Sequence, residues 1–126
     1  LVKQVIFAAE KGLNHLDLSN FYSQGRACTY FSTYEGFGNA FVESILAKKP
    51  IFVNNYKPVY NQDIGCYDFK TVLIEYSQLT DQAVKDMSEI IYNPSLANEI
   101  GEYNFKLGEK YFSYEILEQK LRKLFD

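Results

Sequence analysis

The stretch Tyr34-Glu35-Gly36-Phe37-Gly38-Asn39-Ala40-Phe41-Val42-Glu43-Ser44-Ile45-Leu46-Ala47 constrains the fold more than any other part of this chain. Two glycines lead straight into an apolar run with helical spacing, and Lys48-Lys49-Pro50 closes that run before the strand-like Ile51-Phe52-Val53. Loop, helix and strand in that order aim a helix N-terminus, with its unpaired N–H groups, at something anionic. One carboxylate, Glu35, stands in the loop, and a second, Glu43, lies eight positions on, inside the helix. The rest of the chain reads as scaffolding for that turn.

The spacing around it predicts an α/β domain. Residues 1–11 show the apolar recurrence of an amphipathic helix ended by Gly12, and an irregular link over 13–18 carries the only histidine, His15, read as a surface residue. Ser19 is taken as the N-cap of a short helix over 20–24 that Gly25 closes. Ala27 to Phe31 then reads as a buried strand, 39–47 as the central helix, and Ile51 to Val53 as a second strand opened by Pro50. Strand, helix and strand at this spacing make a right-handed crossover between parallel strands. A polar-aromatic loop over 54–65, with a helical turn before Gly65, precedes a third strand over 71–74.

The last third is helical. Thr80 caps a helix with the stripe Val84, Met87, Ile90 and Ile91, and Asn93-Pro94 supplies the cap and first position of the next. That helix is expected to turn Leu96, Ile100, Tyr103, Leu107 and Tyr111 inward. Gly101 and Gly108 each cost about 1 kcal/mol there against Ala, which close packing on a neighbour would explain. Ser113 caps a final helix with Tyr114, Leu117, Leu121 and Leu124 on one stripe. The fold class is therefore α/β: a partial Rossmann-like domain, with a short parallel sheet flanked by helices and a helical C-terminal end.

Length and charge narrow the function. The 126 residues suit a single domain, and a chain opening on Leu1 rather than Met is expected to be a piece of something larger. A net charge of −3 argues against a nucleic-acid partner, which needs a basic face. No apolar run approaches the ~18 residues of a membrane span, and no signal-peptide pattern opens the chain. Cys28 and Cys66 lack metal-ligand spacing and are expected to be reduced thiols of a cytoplasmic protein. Eleven tyrosines suit either a wet ligand cleft or half-buried scaffold positions.

At the central turn, small glycines would let backbone approach a ligand where parallel sheets bind them, outside the carboxyl ends of the strands. Glu43, amid Phe41, Val42, Ile45 and Leu46, needs a partner. A sugar hydroxyl pair fits, and so does a structural salt bridge to a buried Lys or Arg. Glu35 either reaches a second part of the same ligand or is a solvated loop residue. The third glycine of a dinucleotide fingerprint would fall at Phe41, so a nicotinamide site is not supported.

Glu35-Gly36-Phe37-Gly38 through Glu43, followed by Lys49-Pro50-Ile51, resembles the nucleotide-sugar-binding half of retaining glycosyltransferases of the GT-B fold type. The large family concerned includes sucrose synthase-like, glycogen synthase-like and lipopolysaccharide-building enzymes. The likeness runs from about Leu18 to Asp126, through the capped helix at Thr80, Asn93-Pro94-Ser95-Leu96 and Tyr111-Phe112-Ser113-Tyr114. It implies that residues 1–126 are the C-terminal, donor-binding domain of a two-domain hexosyltransferase using a nucleotide-diphospho-sugar, inactive by itself without its N-terminal acceptor domain. Glu43 would hold the ribose hydroxyls. Glu35 would face the donor sugar as the catalytic carboxylate, stabilising positive charge at the anomeric carbon. Backbone N–H groups of Phe37, Gly38, Asn39 and Ala40, beside Gly36, would hold sugar hydroxyls or pyrophosphate. No metal or other cofactor is implied, and the acceptor is unspecified.

The chain departs from that pattern in three places. No basic pair precedes Ala27 to grip the diphosphate, since Lys3 and Lys11 lie on a helix and Arg26 adjoins a strand. Asn54-Asn55-Tyr56-Lys57-Pro58-Val59-Tyr60 stands where relatives carry Gly-Gly and an acid. Lys48-Lys49 replaces a commoner Gly before the proline. A non-catalytic sugar-nucleotide-binding or interaction module on the same fold is the alternative reading.

Overall fold

A computed structural model describes residues 7–12 and 17–125. Within the stretch expected to form an N-terminal helix, the described residues hold a 3-10 turn at Ala9–Lys11, which Gly12 ends in the left-handed region (φ 65°). The start of that stretch, over 1–6, and residues 13–16 with His15 lie outside the described residues. Helix α1 spans Leu18–Ser23. Its N-cap is Asp17, whose carboxylate accepts from the Asn20 N–H at 2.8 Å, so Ser19 sits inside the helix rather than capping it. Both residues are good caps, and the aspartate lies one turn before the donor.

Strands β1 (Cys28–Tyr30), β2 (Ile51–Asn54) and β3 (Val72–Ile74) form a parallel sheet in that order, with Cys28 opposite Ile51 and Phe52 opposite Val72. Central β2 is buried at every position. Ile51 and Val53 pack with Phe41 and Ile45 of helix α2 (Asn39–Leu46), while Phe52 packs with Val72, Ala83, Ile90 and Ile100 on the opposite face. A strand covered on both faces reads as continuous apolar sequence, as Ile51-Phe52-Val53 does. β1 does not behave as the buried strand expected: Cys28 and Tyr30 are half-buried, and Thr29 and Phe31 are exposed. Among the described residues it pairs with β2 alone, and one of its faces is wet.

Between β2 and β3 a π-helical turn at Tyr60–Ile64 and a 3-10 turn at Gly65–Tyr67 carry Tyr60 and Ile64 into the core, where Tyr60 and Phe69 set their ring edges against Phe41. Helix α3 (Asp81–Tyr92) is capped by Thr80, whose hydroxyl accepts from Ala83 N at 3.1 Å. Its buried face is Ala83 and Ile90, with Met87 and Ile91 half-buried, and Val84 is exposed. Ala83 and Ile90 face the sheet, packing with Phe52 and Val72.

Helix α4 (Pro94–Phe112) begins with Asn93 capping Leu96 N at 3.1 Å. It lies across α2 on Gly101 and Gly108. A Cβ on Gly101 would run into the Lys48 carbonyl, and one on Gly108 would stand 2.8 Å from Ile45 Cγ2. Close packing therefore explains both glycines. On this helix Ile100, Gly101, Asn104 and Gly108 are buried, while Tyr103 keeps 38% of its surface exposed. Asn104 is fully buried; its amide accepts from Lys70 N and donates to Lys70 O, both at 2.8 Å, at the entry to β3. Helix α5 (Tyr114–Phe125) starts at Ser113, whose hydroxyl accepts from Ile116 N at 3.4 Å, and it has no fully buried residue. Among the described residues, no helix is long and apolar enough to cross a membrane.

Candidate functional site

The carboxyl ends of the three strands are tied together by two buried asparagines. Asn54 donates to Ser32 O at 2.8 Å and accepts from Ser77 N at 2.9 Å, so it joins the loops that follow β1 and β3. Asn55 donates its side-chain N–H to Glu75 at 2.8 Å, and Glu75 also pairs with Lys57 at 3.0 Å. These contacts show what the polar stretch after β2 does in the fold: it braces the rim on which the turn at 34–38 rests. The Asn55 and Lys57 donors hold the exposed Glu75 carboxyl below its ordinary range.

Gly38 is the N-cap position of α2, at φ 109° and ψ 57°, a conformation that strains any residue with a Cβ. The space its side chain would take is filled by the Tyr56 hydroxyl, which donates to Phe37 O at 3.0 Å. The absence of a Cβ at Gly38 therefore makes room for a buried tyrosine. Gly36 differs: nothing lies within 4 Å of where its Cβ would be, and its backbone is open to approach. The first turn of α2 then presents its N–H groups, one of which, on Phe41, is already taken by Gly38 O at 3.0 Å.

Glu35 is half-buried beside the turn. The Tyr30 and Ser32 side-chain donors hold its carboxyl below the ordinary range, so it is ionised at neutral pH. Tyr30 stands edge-on to Tyr56 at 5.8 Å, and burial, then the neighbouring Glu35, push its phenol upward. Glu43 is half-buried in the second turn of α2, and its partner is a phenol rather than a cation: Tyr22 Oη donates to Oε2 at 3.0 Å. No ion pair to Glu43 is present among the described residues. Arg26, the cation nearest it upstream in sequence, donates instead to Ile91 O at 3.3 Å.

The expected site residues are thus gathered around one helix start, but they divide between its two sides. Ala40 lines a cavity of about 270 Å³ between α1, β1 and α2, together with Tyr22, Cys28, Tyr30 and Ser44. Phe37 and Asn39 line another, of about 410 Å³, with Gln62, Asp63, Tyr67 and Tyr111. Lys48 takes the left-handed conformation (φ 56°) after α2, which suits the Gly commoner there, and it pairs with Glu102 at 2.8 Å. Tyr22, Tyr30 and Tyr56 are the residues that spacing did not single out. Their one signal was the abundance of tyrosine. Both cysteines are free thiols. Among the described residues no group of three or more His, Cys, Asp and Glu side chains is placed to hold a metal ion.

Comparison with known proteins supports a glycosyltransferase likeness. The chain is 30% identical to mannosylglucosylglycerate synthase of Thermotoga maritima over 140 aligned positions, covering 93% of this chain and 33% of that glycosyltransferase. It is also 30% identical to mannosylglucosylglycerate synthase of Petrotoga mobilis over 111 positions, covering 79% of this chain and 26% of that protein. It spans about a third or less of the length of these curated relatives. No family model and no solved structure matches.

Proposed function

We propose that this chain is the donor-binding part of a retaining GT-B glycosyltransferase that moves a hexose from a nucleotide-diphospho-sugar to an acceptor held by the remainder of the enzyme. The observation that carries the reading is the state of Glu43. It is a half-buried carboxylate at the ligand end of the sheet, held by a neutral phenol. A structural salt bridge would have tied it to a cation; a single phenol donor leaves acceptor capacity for the ribose diol. The similarity to mannosylglucosylglycerate synthases, whose name describes a product carrying mannosyl and glucosyl groups, supports a hexosyl donor.

The chemistry follows from charge. Departure of a nucleoside diphosphate leaves negative charge on its phosphate oxygens and positive charge at the anomeric carbon. The open backbone at Gly36 and the first turn of α2 offer N–H groups and the positive end of the helix dipole to the diphosphate. Glu35, kept ionised, faces the opposite charge. The basic pair absent upstream is not replaced from Arg26, which is engaged with Ile91. Lys57 stands at the correct end of the sheet and is paired with Glu75.

Calorimetric titration with UDP-glucose and GDP-mannose tests the reading on the intact chain and on Glu43→Gln. One of the two donors should bind, and the variant should weaken it roughly tenfold, the scale of one hydrogen bond to a charged group. Equal affinity for both proteins would remove Glu43 from the site. Binding with no transfer by the complete enzyme would favour a non-catalytic module.

A further inference from the structure

The proposed donor site leaves open what aims Glu43. Its Oε2 accepts from Tyr22 Oη at 3.0 Å, a contact between residues 21 positions apart that only the tertiary fold creates. The phenol is itself well placed. Tyr22 lies in the last turn of α1, which Asp17 caps, and the Phe21 ring meets its ring edge-on at 6.2 Å. It also walls the cavity beside Ala40 and Ser44, on the same flank of α2 as Glu43.

Two properties suit this donor to the task. A phenol fixes one carboxylate oxygen without cancelling the charge, whereas a guanidinium would engage both oxygens in a bidentate pair. A carboxylate has about four acceptor sites, so Oε1 keeps its own capacity. Burial and the hydrogen bond to Glu43 push the Tyr22 phenol up to about 12, so it remains a donor throughout the neutral range.

We propose that Tyr22 is a positioning residue for Glu43, holding Oε2 so that Oε1 meets the 2′ and 3′ hydroxyls of the donor nucleotide's ribose. The inference rests on the donor-site reading. Tyr22 touches no reacting atom. Its effect is to make affinity depend on the ribose hydroxyls.

The test compares whichever of UDP and GDP binds more tightly with its 2′,3′-dideoxy analogue, on the intact chain, Tyr22→Phe, Glu43→Gln and the double variant. The native chain should prefer the ribonucleotide. Tyr22→Phe should weaken the ribonucleotide roughly five- to tenfold and leave the dideoxy analogue unchanged. The double variant should match Glu43→Gln alone, because the phenol acts only through that carboxylate. A Tyr22→Phe protein with the native preference, alongside a Glu43→Gln protein that has lost it, overturns the role of Tyr22 and leaves the donor site standing. A Glu43→Gln protein with the native preference, or no binding of either nucleotide, overturns the donor site itself. Both affinities are read on the same preparation, so a fraction of unfolded protein cancels in their ratio.

Discussion

The two ends of helix α2 solve the same problem in opposite ways. At each end the backbone passes through the left-handed region, at Gly38 (φ 109°) before the helix and at Lys48 (φ 56°) after it, and at each end another group comes very close. At the start the glycine lies in the turn itself, and the intruder is the Tyr56 hydroxyl. At the finish the turn carries a lysine, and the glycine lies across the interface, as Gly101 of α4 against the Lys48 carbonyl. The start keeps its outer side bare, at Gly36, while the finish is covered by a helix. One end leaves backbone open to solvent, and the other is closed by the protein.

The sharpest way to break this contrast is at Gly38. Gly38→Ala should cost about 3 kcal/mol in urea unfolding, from left-handed strain plus displacement of Tyr56. Tyr56→Phe alone should cost about 1 kcal/mol, the scale of a lost hydrogen bond. Because it also vacates the contested space, the double variant should be more stable than the two losses added together. Strict additivity would mean that the hydroxyl is not what fills that space.

Gly101→Ala should cost less, about 2 kcal/mol, because overpacking against an immovable carbonyl is partly offset by better helix propensity. If it is tolerated as well as Gly108→Ala, whose obstacle is the tip of Ile45, the two crossings are not distinct. The smallest effect belongs to Lys48→Gly. Relief of a left-handed lysine is worth about 1 kcal/mol, and the exposed pair with Glu102 contributes a fraction of that. A slight rise in the urea midpoint is expected, and a fall would place the value of this end in the Lys48 side chain, which also lies 4.6 Å over the Phe105 ring.

Much of this architecture is legible in the sequence, and the exceptions share a cause. Local signals carry most of it: Pro50 before the apolar Ile51-Phe52-Val53, Thr80 and Asn93-Pro94 at helix starts, and glycines inside α4 at a close approach. Sequence and structure part where a local signal is degenerate. Asp17 and Ser19 can both cap a helix, and only the fold decides between them. Ala83 is a weaker hydrophobic mark than Val84, yet it is the one that faces the sheet. In β1 the one polar residue, Thr29, lies on the exposed face, and the apolar Phe31 two positions on masks that alternation. At the site, Glu35, Gly36 and Glu43 stood out by spacing, whereas Tyr22 reaches Glu43 and Tyr56 reaches Gly38 across 21 and 18 positions. No window of neighbouring residues contains those pairs. At Gly38 the need for a missing Cβ is legible, but the Tyr56 hydroxyl that imposes it is not.

Asn104 adds a constraint of a different kind. Its amide grips both backbone groups of Lys70, as a neighbouring strand would, from the side of a helix. Helices packed through apolar ridges can slide by fractions of a turn at little cost. Here a slip of one turn, about 5.4 Å, would bring Ile100 or Gly108 opposite Lys70 and leave its N–H and C=O without their partner. The long helix therefore has a single seat against the sheet. Whatever force reaches α4 from its far end should arrive at the β3 entry as all or nothing.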